Sequence, residues 1–499
     1  MKLHRTLIPA MAALACAFAQ AAPAPAASAA ETLPLIGSIA ARDAATIKGS
    51  NWLLGCETLD RDFTNYDAYK GYLAPLGIAR LRLQAGWAKT EKTKGVYDWA
   101  WLDHIVDDAT KRGLKPWLQL SYGNSIYAGG GGTNLSAGIP SSPEALAAWD
   151  RWVAALVTRY RNRVVDWEVW NEPNFGDNTI NTPEGVADLS GRSAAIIKRL
   201  QPGAKISGLA LGHIDLDYAE SFFKMLHARG QIGLFDNMTY HDYVYNPDMH
   251  YPKVVQLREI LHKYAPGMRL RQGENGAPSV GHSGGALHDY PWTENSQAKW
   301  NTRRMLGDLG HDIESSVFSI IEMAYTNGPI STFNTKGLIK SNSAREALRP
   351  KVAYGAVQTL TSVFDDSLQR IRSVKSIHND KVVPANPDDV IYNAGTDRAV
   401  AVYGYRNPAR QLDVYTLWIS DTIPADSMDK KGYRVSMVNA RFKEPVYVDV
   451  VTGKVHAIPA DQWSTTGAKV VFKNIPLYDG PILIADKSLL KITPAAALP

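Results

Sequence analysis

Between about residue 48 and residue 366, short apolar runs alternate with longer amphipathic stretches. This alternation is typical of parallel strands that are covered by helices. Eight apolar runs can be assigned as strands, and this number predicts an α/β fold, a (β/α)₈ TIM barrel. The predicted strands cover residues 52–56, 79–84, 115–122, 164–170, 205–212, 235–241, 268–273 and 315–323.

The helices between these strands have recognisable starts. Ser142, Pro143 and Glu144 combine an N-cap, a proline at the first helical position and an acid near the positive end of the helix dipole. The last barrel helix is predicted over residues 343–364, with Pro350 marking a kink or a break.

Beyond residue 370 the pattern changes to short alternating segments separated by turn residues, as at 399–405, 412–420, 433–438, 446–450 and 469–472. This pattern predicts an antiparallel β-sandwich that packs on the barrel. The predicted domains are a leader at 1–30, the catalytic barrel at 31–370 and the sandwich at 371–499. The N-terminal segment before the barrel can also join the sandwich.

The first thirty residues have the features of a signal peptide. Lys2 and Arg5 precede an apolar stretch at 7–18, and small-x-small cleavage motifs follow at 19–21 and 27–29. We therefore expect a secreted or periplasmic protein; a membrane anchor and a lipid attached to Cys16 are the alternatives. After removal of the leader, no apolar run is long enough to span a membrane.

Composition narrows the possible partners. The formal net charge is +5 and no basic run stands out, so nucleic acid is not expected as a partner. Thirteen tryptophans and twenty-three tyrosines could supply the flat faces of a sugar-binding cleft, or simply fill the core. Neither the composition nor the charge of the chain indicates an oligomeric state.

The predicted fourth strand runs directly into Asn171, Glu172 and Pro173. The carboxyl ends of barrel strands line the active site, and Pro173 is expected to hold Glu172 in an extended backbone and to end the strand there. Strict alternation would send Asn171 and Glu172 to opposite faces, so both can reach the mouth only through a bulge or twist.

The predicted seventh strand also ends in a glutamate, Glu274, which lies between Gly273 and Gly276. Two carboxyl groups across one mouth are what glycoside hydrolysis requires: one protonates the leaving oxygen and the other attacks the anomeric carbon. Burial and like-charge repulsion would raise one pKa and leave the other group ionised.

The ends of these two strands resemble clan A of the glycoside hydrolases, and the barrel and sandwich are most similar to family 39, the β-xylosidase-like group. The resemblance implies a retaining mechanism with Glu172 as acid/base and Glu274 as nucleophile. It further implies that Arg82 supports the nucleophile and that the Tyr243 hydroxyl contacts it. Asn171, as a donor to the 2-hydroxyl, and His241 are further candidate substrate contacts. The alternatives are a strand-end cap for Asn171, hydrogen bonds to buried carbonyls for Arg82, and hydrogen-bonded burial in the core for His241 and Tyr243.

Further candidate sugar contacts lie at or just beyond predicted strand ends: Glu57, Trp87, Tyr122, Asn124, Trp292 and Glu322. For each of them, burial in the core is the alternative. Many clan members place a tryptophan at the end of the eighth strand, whereas this chain has Glu322 and Tyr325 there. This departure leaves the identity of the bound sugar open.

Two long connections, 123–141 and 275–293, follow strand ends on the predicted catalytic face. We expect them to wall the mouth into a pocket, which favours exo-acting hydrolysis of an oligosaccharide or polysaccharide. The alternatives are an endo-acting hydrolase or a transglycosylase with the same residues, and a non-catalytic carbohydrate-binding barrel. No metal or cofactor is expected, because metal-binding His-x-x-x-His and Cys-x-x-Cys motifs are absent from the sequence.

Overall fold

The computed structural model describes residues 28–29, 33–327, 330–377 and 389–497. The predicted signal peptide lies almost entirely outside these residues. Among the described residues, no helix combines the length and apolar composition that a membrane crossing requires.

Eight parallel strands form a closed barrel in which each strand pairs with the next and the last pairs with the first. The predicted (β/α)₈ fold is therefore confirmed, and every predicted barrel strand is present. The strands are β1 (Trp52–Gly55), β2 (Arg80–Gln84), β3 (Lys115–Leu120), β4 (Asp166–Val169), β5 (Lys205–Leu211), β6 (Asn237–His241), β7 (Arg269–Asn275) and β8 (Glu314–Val317).

Eight helices surround the barrel and bury their apolar sides against it. The start predicted at Ser142 is confirmed, because its hydroxyl accepts a hydrogen bond from the Ala145 amide. The helices are α1 (Tyr66–Leu73), α2 (Ala100–Lys111), α3 (Pro143–Tyr160), α4 (Pro183–Leu200), α5 (Leu216–Ala228), α6 (Tyr251–Tyr264), α7 (Glu294–Gly310) and α8 (Val352–Val363); a single turn, Trp87–Thr90, lies in the loop after β2.

The predicted start of the last barrel helix at residue 343 is wrong. Helix α8 begins at Val352, and the preceding residues form an antiparallel pair, Ile339–Ser341 with Ala347–Pro350. Pro350 lies in this pair because its restricted backbone suits an extended segment better than a helix interior. A second antiparallel pair, Met323–Asn327 with Ile330–Asn334, follows β8.

The C-terminal strands form two mainly antiparallel sheets, which confirms the predicted sandwich. The larger sheet also contains Leu35–Ile39 from the N-terminal segment. In spatial order its strands are Gln369–Ile371, Val400–Asn407, Leu412–Ile419, Ile482–Asp486, Pro445–Asp449, Lys454–Ala457, Leu35–Ile39 and Ile492–Pro494. The smaller sheet consists of Val374–Ser376, Val390–Asn393, Lys431–Val438, Lys469–Leu477 and Trp463–Thr466, with Ser28–Ala29 paired to Lys431–Val438.

Two buried cations of α7 tie the sandwich to the barrel. The Lys299 ammonium donates to the Ala425 carbonyl and to the Asp479 carboxylate, and Arg303 donates to the Ser420 carbonyl. Both side chains are fully buried. Because a buried cation is costly unless it is paired, these contacts fix the sandwich against one side of the barrel.

Candidate active site

Glu172 reaches the mouth because the backbone turns sharply where β4 ends. Trp170 and Glu172 both adopt left-handed conformations, with φ of 65° and 48°. The predicted extended backbone at Glu172 is therefore wrong, although the strand does end before Pro173. The Glu172 amide then donates to the Ala210 carbonyl at the end of β5, at 2.8 Å. This twist is the local irregularity that the sequence required for Asn171 and Glu172 to share one face. Pro173 starts a short 3₁₀ helix, Pro173–Phe175, at the rim.

Glu274 lies within β7, close to its carboxyl end. The pairing of β6 with β7 shifts register there, so that His241 lies opposite Glu274. The Gln272 side chain accepts a hydrogen bond from the Glu274 amide at 3.0 Å. The shift turns the carboxylate of Glu274 into the mouth, next to the end of β6.

Arg82, which is fully buried on β2, connects most of the polar groups of the site. Its Nη1 donates to Glu274 Oε2 at 2.9 Å, and its Nη2 donates to Asn171 Oδ1 at 2.9 Å. Nε donates to Glu168 Oε2 at 2.8 Å. The planar guanidinium therefore holds the Glu274 carboxylate and the Asn171 amide in a fixed relation.

Tyr243 provides the second contact to Glu274. Its hydroxyl donates to Oε1 at 2.8 Å, so both oxygens of Glu274 accept a hydrogen bond. One oxygen of Glu274 and one of Glu172 lie within 4.8 Å of each other. The two carboxyl groups are thus close neighbours across the mouth.

Glu172 has a different environment. His241 Nδ1 lies 2.7 Å from Glu172 Oε1 and is its hydrogen-bond partner. Burial raises the pKa of Glu172 to about 7. At neutral pH a large fraction of Glu172 therefore holds a proton, as a general acid must.

Asn171 is held by three partners. Its Oδ1 accepts from Arg82 and also from Gln119 Nε2, the latter at 3.1 Å. Its Nδ2 donates to the Tyr122 hydroxyl at 2.6 Å. Tyr122 is buried, and this hydrogen bond places it next to Asn171; its predicted contact with sugar stays a prediction.

Two further glutamates lie beneath the mouth. Glu57, a predicted contact for a terminal sugar, accepts from Arg82 Nη1 at 3.0 Å, and burial raises its pKa well above the usual range. Glu168, which the sequence analysis did not single out, accepts from Arg82, Gln119 and Thr239. Glu168 sits on β4 with an inward orientation, and alternation along that strand could have identified it.

A pocket of about 700 Å³ opens over Glu172 and Glu274. Both long connections contribute to its wall, the first through 134–136 and the second through 285–286. Its lining residues are Asn134, Leu135, Ser136, Glu172, Phe175, Gly212, His213, Tyr243, Glu274, Gly285, Ala286, Phe318, Tyr325, Asn334 and Lys336. Tyr325 lines the wall from the antiparallel strand Met323–Asn327, whereas Glu322 does not line it. The predicted extension of the eighth strand to residue 323 is wrong, because β8 ends at Val317.

Lys336 is a pocket residue that the sequence analysis missed. Its ammonium lies 5.4 Å from the centre of the Tyr243 ring and forms no hydrogen bond with any described residue. Burial lowers its pKa to about 7, whereas the charges of Glu274 and Glu172 act in the opposite direction. Lys336 follows the antiparallel pair after β8. A search for polar residues at the ends of predicted barrel strands therefore does not find it.

The structure does not bring Trp87 and Asn124 to the pocket. Trp87 lies in the turn Trp87–Thr90, stacks on Tyr127 and donates to Glu91 at 2.5 Å. The Asn124 amide donates to the Glu91 carbonyl at 2.8 Å and stabilises the loop after β3. Both side chains are buried by packing of the loops, so their predicted sugar contact is not supported.

Trp292 and Glu322 also lie away from the pocket lining. Trp292 packs against Leu287 and Trp300 in a small separate core, and its indole donates to the Leu287 carbonyl. Glu322 pairs with the buried Lys351 at 3.0 Å. These partners satisfy both side chains, so their predicted role in sugar binding is not supported either.

Glu172, His241 and Glu274 each present one potential metal ligand within 4.8 Å of the others. The guanidinium of Arg82 lies 2.9 Å from Glu274 and 3.4 Å from His241. A cation placed among these ligands would meet the positive charge of Arg82 at short range. The hydrogen bonds described above account for the arrangement without a metal.

Comparison with known proteins supports the family resemblance. The model of "Glycosyl hydrolases family 39" matches residues 79–269, a range that contains Arg82, Glu172 and Tyr243 and ends just before Glu274. A β-xylosidase of Caldicellulosiruptor saccharolyticus is 30% identical over 118 residues, which are 22% of this chain and 24% of that protein. The predicted resemblance to family 39 is confirmed, and this chain matches about a quarter of the length of that curated relative.

Solved structures share the fold over nearly the whole chain. A family 39 glycoside hydrolase from Bacteroides cellulosilyticus WH2 gives a TM-score of 0.61 at 18% identity and covers 88% of this chain and 81% of its own. A GH39 enzyme from Xanthomonas axonopodis pv. citri gives a TM-score of 0.56 at 15% identity and covers 93% and 99%. At these identities the likeness concerns the fold.

Proposed function

We propose that this chain, which is similar to family 39 glycosyl hydrolases over residues 79–269, is a retaining glycoside hydrolase. The observation that carries the proposal is the pair Glu172 and Glu274, whose oxygens lie within 4.8 Å at the carboxyl ends of β4 and β7. Retaining enzymes place their two carboxyl groups about 5–5.5 Å apart, whereas inverting enzymes need room for a water.

In the first step, an oxygen of Glu274 attacks the anomeric carbon and forms a glycosyl ester. The bond from that carbon to the leaving oxygen breaks, and the proton of Glu172 passes to the leaving oxygen. The raised pKa of Glu172 supports this role, because the group must still be protonated near neutral pH.

In the second step, the ionised Glu172 takes a proton from water, and the water oxygen attacks the anomeric carbon. The ester bond to Glu274 breaks and the product keeps the configuration of the substrate. Arg82 and Tyr243, which donate to the two oxygens of Glu274, position the nucleophile for attack and then stabilise its departure as a carboxylate.

Alanine variants of the two glutamates, assayed with a panel of aryl glycosides beginning with β-xylosides, test this proposal. Glu274→Ala should abolish turnover of every substrate, because the glycosyl ester cannot form. Glu172→Ala should retain turnover of substrates with good leaving groups, which need no proton. Near-normal hydrolysis by Glu274→Ala would contradict the proposal and favour another nucleophile.

The walls formed by residues 134–136 and 285–286 support exo action on a glycan, because they enclose the mouth on two sides. An endo-acting hydrolase would release mixed oligosaccharides from the middle of a chain. A transglycosylase would use the same residues but transfer the sugar to an acceptor at high acceptor concentration. A non-catalytic sugar-binding barrel is disfavoured by the presence of both carboxylates.

We also propose that the protein is exported, on the basis of the leader at residues 1–30. Determination of the N-terminal sequence of protein recovered from the medium or periplasm tests this. An intact leader on protein that stays inside the cell would contradict export.

A further inference from the structure

Phe175 is an aromatic ring at the rim of the pocket that the mechanism above does not use. It ends the 3₁₀ helix that follows Glu172, lines the pocket and is 46% exposed. Leu135, from the connection after β3, also lines the pocket and is 39% exposed. Of the large apolar side chains that are exposed, these two line the pocket over Glu172 and Glu274, where a bound ligand could cover them.

The Phe175 ring is held in place although it is exposed. Its neighbour Asn174 accepts from the Gly212 amide at 2.8 Å and donates to the His213 carbonyl at 3.1 Å. A Cβ atom on Gly212 would lie 2.2 Å from the Phe175 ring, so the ring position requires a glycine there. The ring also contacts His213, with ring centres 5.0 Å apart and the two planes tilted by 48°.

The location of Glu172 indicates which part of a substrate Phe175 can meet. The same hypothetical Cβ on Gly212 would lie 3.1 Å from Glu172 Cβ, so Phe175 and Glu172 flank one glycine. Glu172 delivers its proton to the leaving oxygen, and the leaving group must therefore pass on this side of the pocket. Glu274, Tyr243 and Lys336 border the part where the anomeric carbon binds.

We propose that Phe175, supported by His213 and Leu135, forms the binding subsite for the leaving group, and that the group it takes is a neutral pyranose ring stacked on the phenyl face. The proposal rests on the proposed function and deepens it. A pyranose presents a flat face of C–H groups, which packs well on an aromatic ring, and its hydroxyls can remain solvated at the open rim. Because the ring is already fixed by Gly212, little ordering entropy is lost on binding.

Phe175→Ala and Phe175→Tyr test the subsite with two substrates that share one glycone. One is a disaccharide and the other is the corresponding glycosyl fluoride, whose leaving group has no ring to stack. In Phe175→Ala, kcat/KM for the disaccharide should fall about tenfold, the size expected for a lost aromatic contact. The fluoride should change by less than a factor of about two, since its chemistry needs only the glycone contacts.

Two variants serve as controls. Phe175→Tyr keeps the stacking face and should restore most of the disaccharide activity. Val280→Ala removes an exposed apolar side chain from the connection after β7 that does not line the pocket, and it should leave both substrates unchanged. An equal loss on disaccharide and fluoride, or no loss on either, would overturn the subsite. A loss seen with an aryl glycoside but not with the disaccharide would overturn the choice of a sugar ring.

A failure of the proposed function would have a different signature. If the wild-type protein cleaves neither substrate, the hydrolase assignment fails, and calorimetric titration with xylobiose and cellobiose then decides the subsite alone. Weaker binding of either disaccharide by Phe175→Ala than by wild type would support the stacking surface. Equal binding, or no binding by either protein, would overturn it.

Discussion

His241 Nδ1 lies 2.7 Å from Oε1 of Glu172. Burial lowers the pKa of His241 to about 4, so the imidazole is neutral at neutral pH. Arg82 Nη2, which can only donate, lies 3.4 Å from His241 Nε2, and this contact assigns the histidine proton to Nδ1. Glu172 therefore receives a hydrogen bond from a neutral donor, while Glu274 receives one from a cation. This difference supports the separate roles that we propose for the two glutamates.

The pKa of Glu172 predicts the alkaline side of the pH profile. Glu172 must hold its proton to act as an acid, and its pKa is about 7, so kcat/KM should fall as pH rises through about 7. A substrate with a good leaving group should show a much weaker fall, because it does not need the proton. A profile of kcat/KM against pH for both substrates measures this, and a rate that rises between pH 6 and 8 with the poor leaving group would contradict it.

Lys336→Met should shift the alkaline fall of kcat/KM to higher pH. The charge of Lys336 lowers the pKa of Glu172, so its removal lets that pKa rise further. The exposed Lys340, which does not line the pocket, provides the control Lys340→Met, and its profile should overlay that of the wild type. If the alkaline fall of kcat/KM in Lys336→Met stays at the wild-type pH or moves to lower pH, the charge of Lys336 does not act on Glu172.

Arg82→Lys should lower kcat/KM by about a hundredfold or more, since a lysine cannot reproduce the several directed contacts of a guanidinium. Arg80 lies on the same strand and pairs with Glu314 outside the pocket, so Arg80→Lys is the matched control. Its activity should stay within a few-fold of wild type. Thermal unfolding of both variants distinguishes lost catalysis from lost stability. Comparable kcat/KM in Arg82→Lys and Arg80→Lys would contradict a specific role of Arg82 in the site.

Hydrolysis should proceed with retention of configuration. Oxygens of Glu172 and Glu274 lie within 4.8 Å of each other, which fits the short carboxyl separation of retaining enzymes rather than the longer one that accommodates a water. Proton NMR of the first product, recorded before mutarotation, distinguishes the two outcomes. Appearance of the opposite anomer first would mean that Glu274 acts as a base on water.

Shortening the connection after β3 should weaken the preference for chain ends. Within this loop Gly130 lies so close to Asn124 that a Cβ would come within 2.1 Å of the Asn124 carbonyl oxygen, so the glycines form a tight support for residues 134–136. Removal of residues 129–132 should widen the pocket and allow cleavage inside a long oligosaccharide. Size analysis of early products measures this; mixed oligosaccharides from the unmodified protein would instead indicate an open cleft.

The barrel strands could be predicted because their apolar runs are short and regularly spaced, and the positions of Glu172 and Glu274 follow from the strand ends. The same rule failed for Trp87, because the direction of its side chain depends on the helical turn that begins at this residue. Lys336 could not be predicted from the sequence, because it reaches the pocket from a turn after the antiparallel pair and no sequence motif marks that turn. The ends of predicted strands show where the backbone of a residue lies. The direction of a side chain in a loop depends on tertiary packing, which the sequence pattern does not give.

The strand Leu35–Ile39 precedes the barrel in the chain, yet it lies between Lys454–Ala457 and Ile492–Pro494 in the larger sheet. During synthesis this strand emerges early, but both of its neighbours are made only after the entire barrel. The larger sheet therefore cannot be completed until residues 492–494 have been synthesised, and this strand pairing joins residues that are more than 450 positions apart. Such distant pairing is slow to form, so a chain that is cut short after the barrel would carry an unpaired strand, exposed to association with other chains.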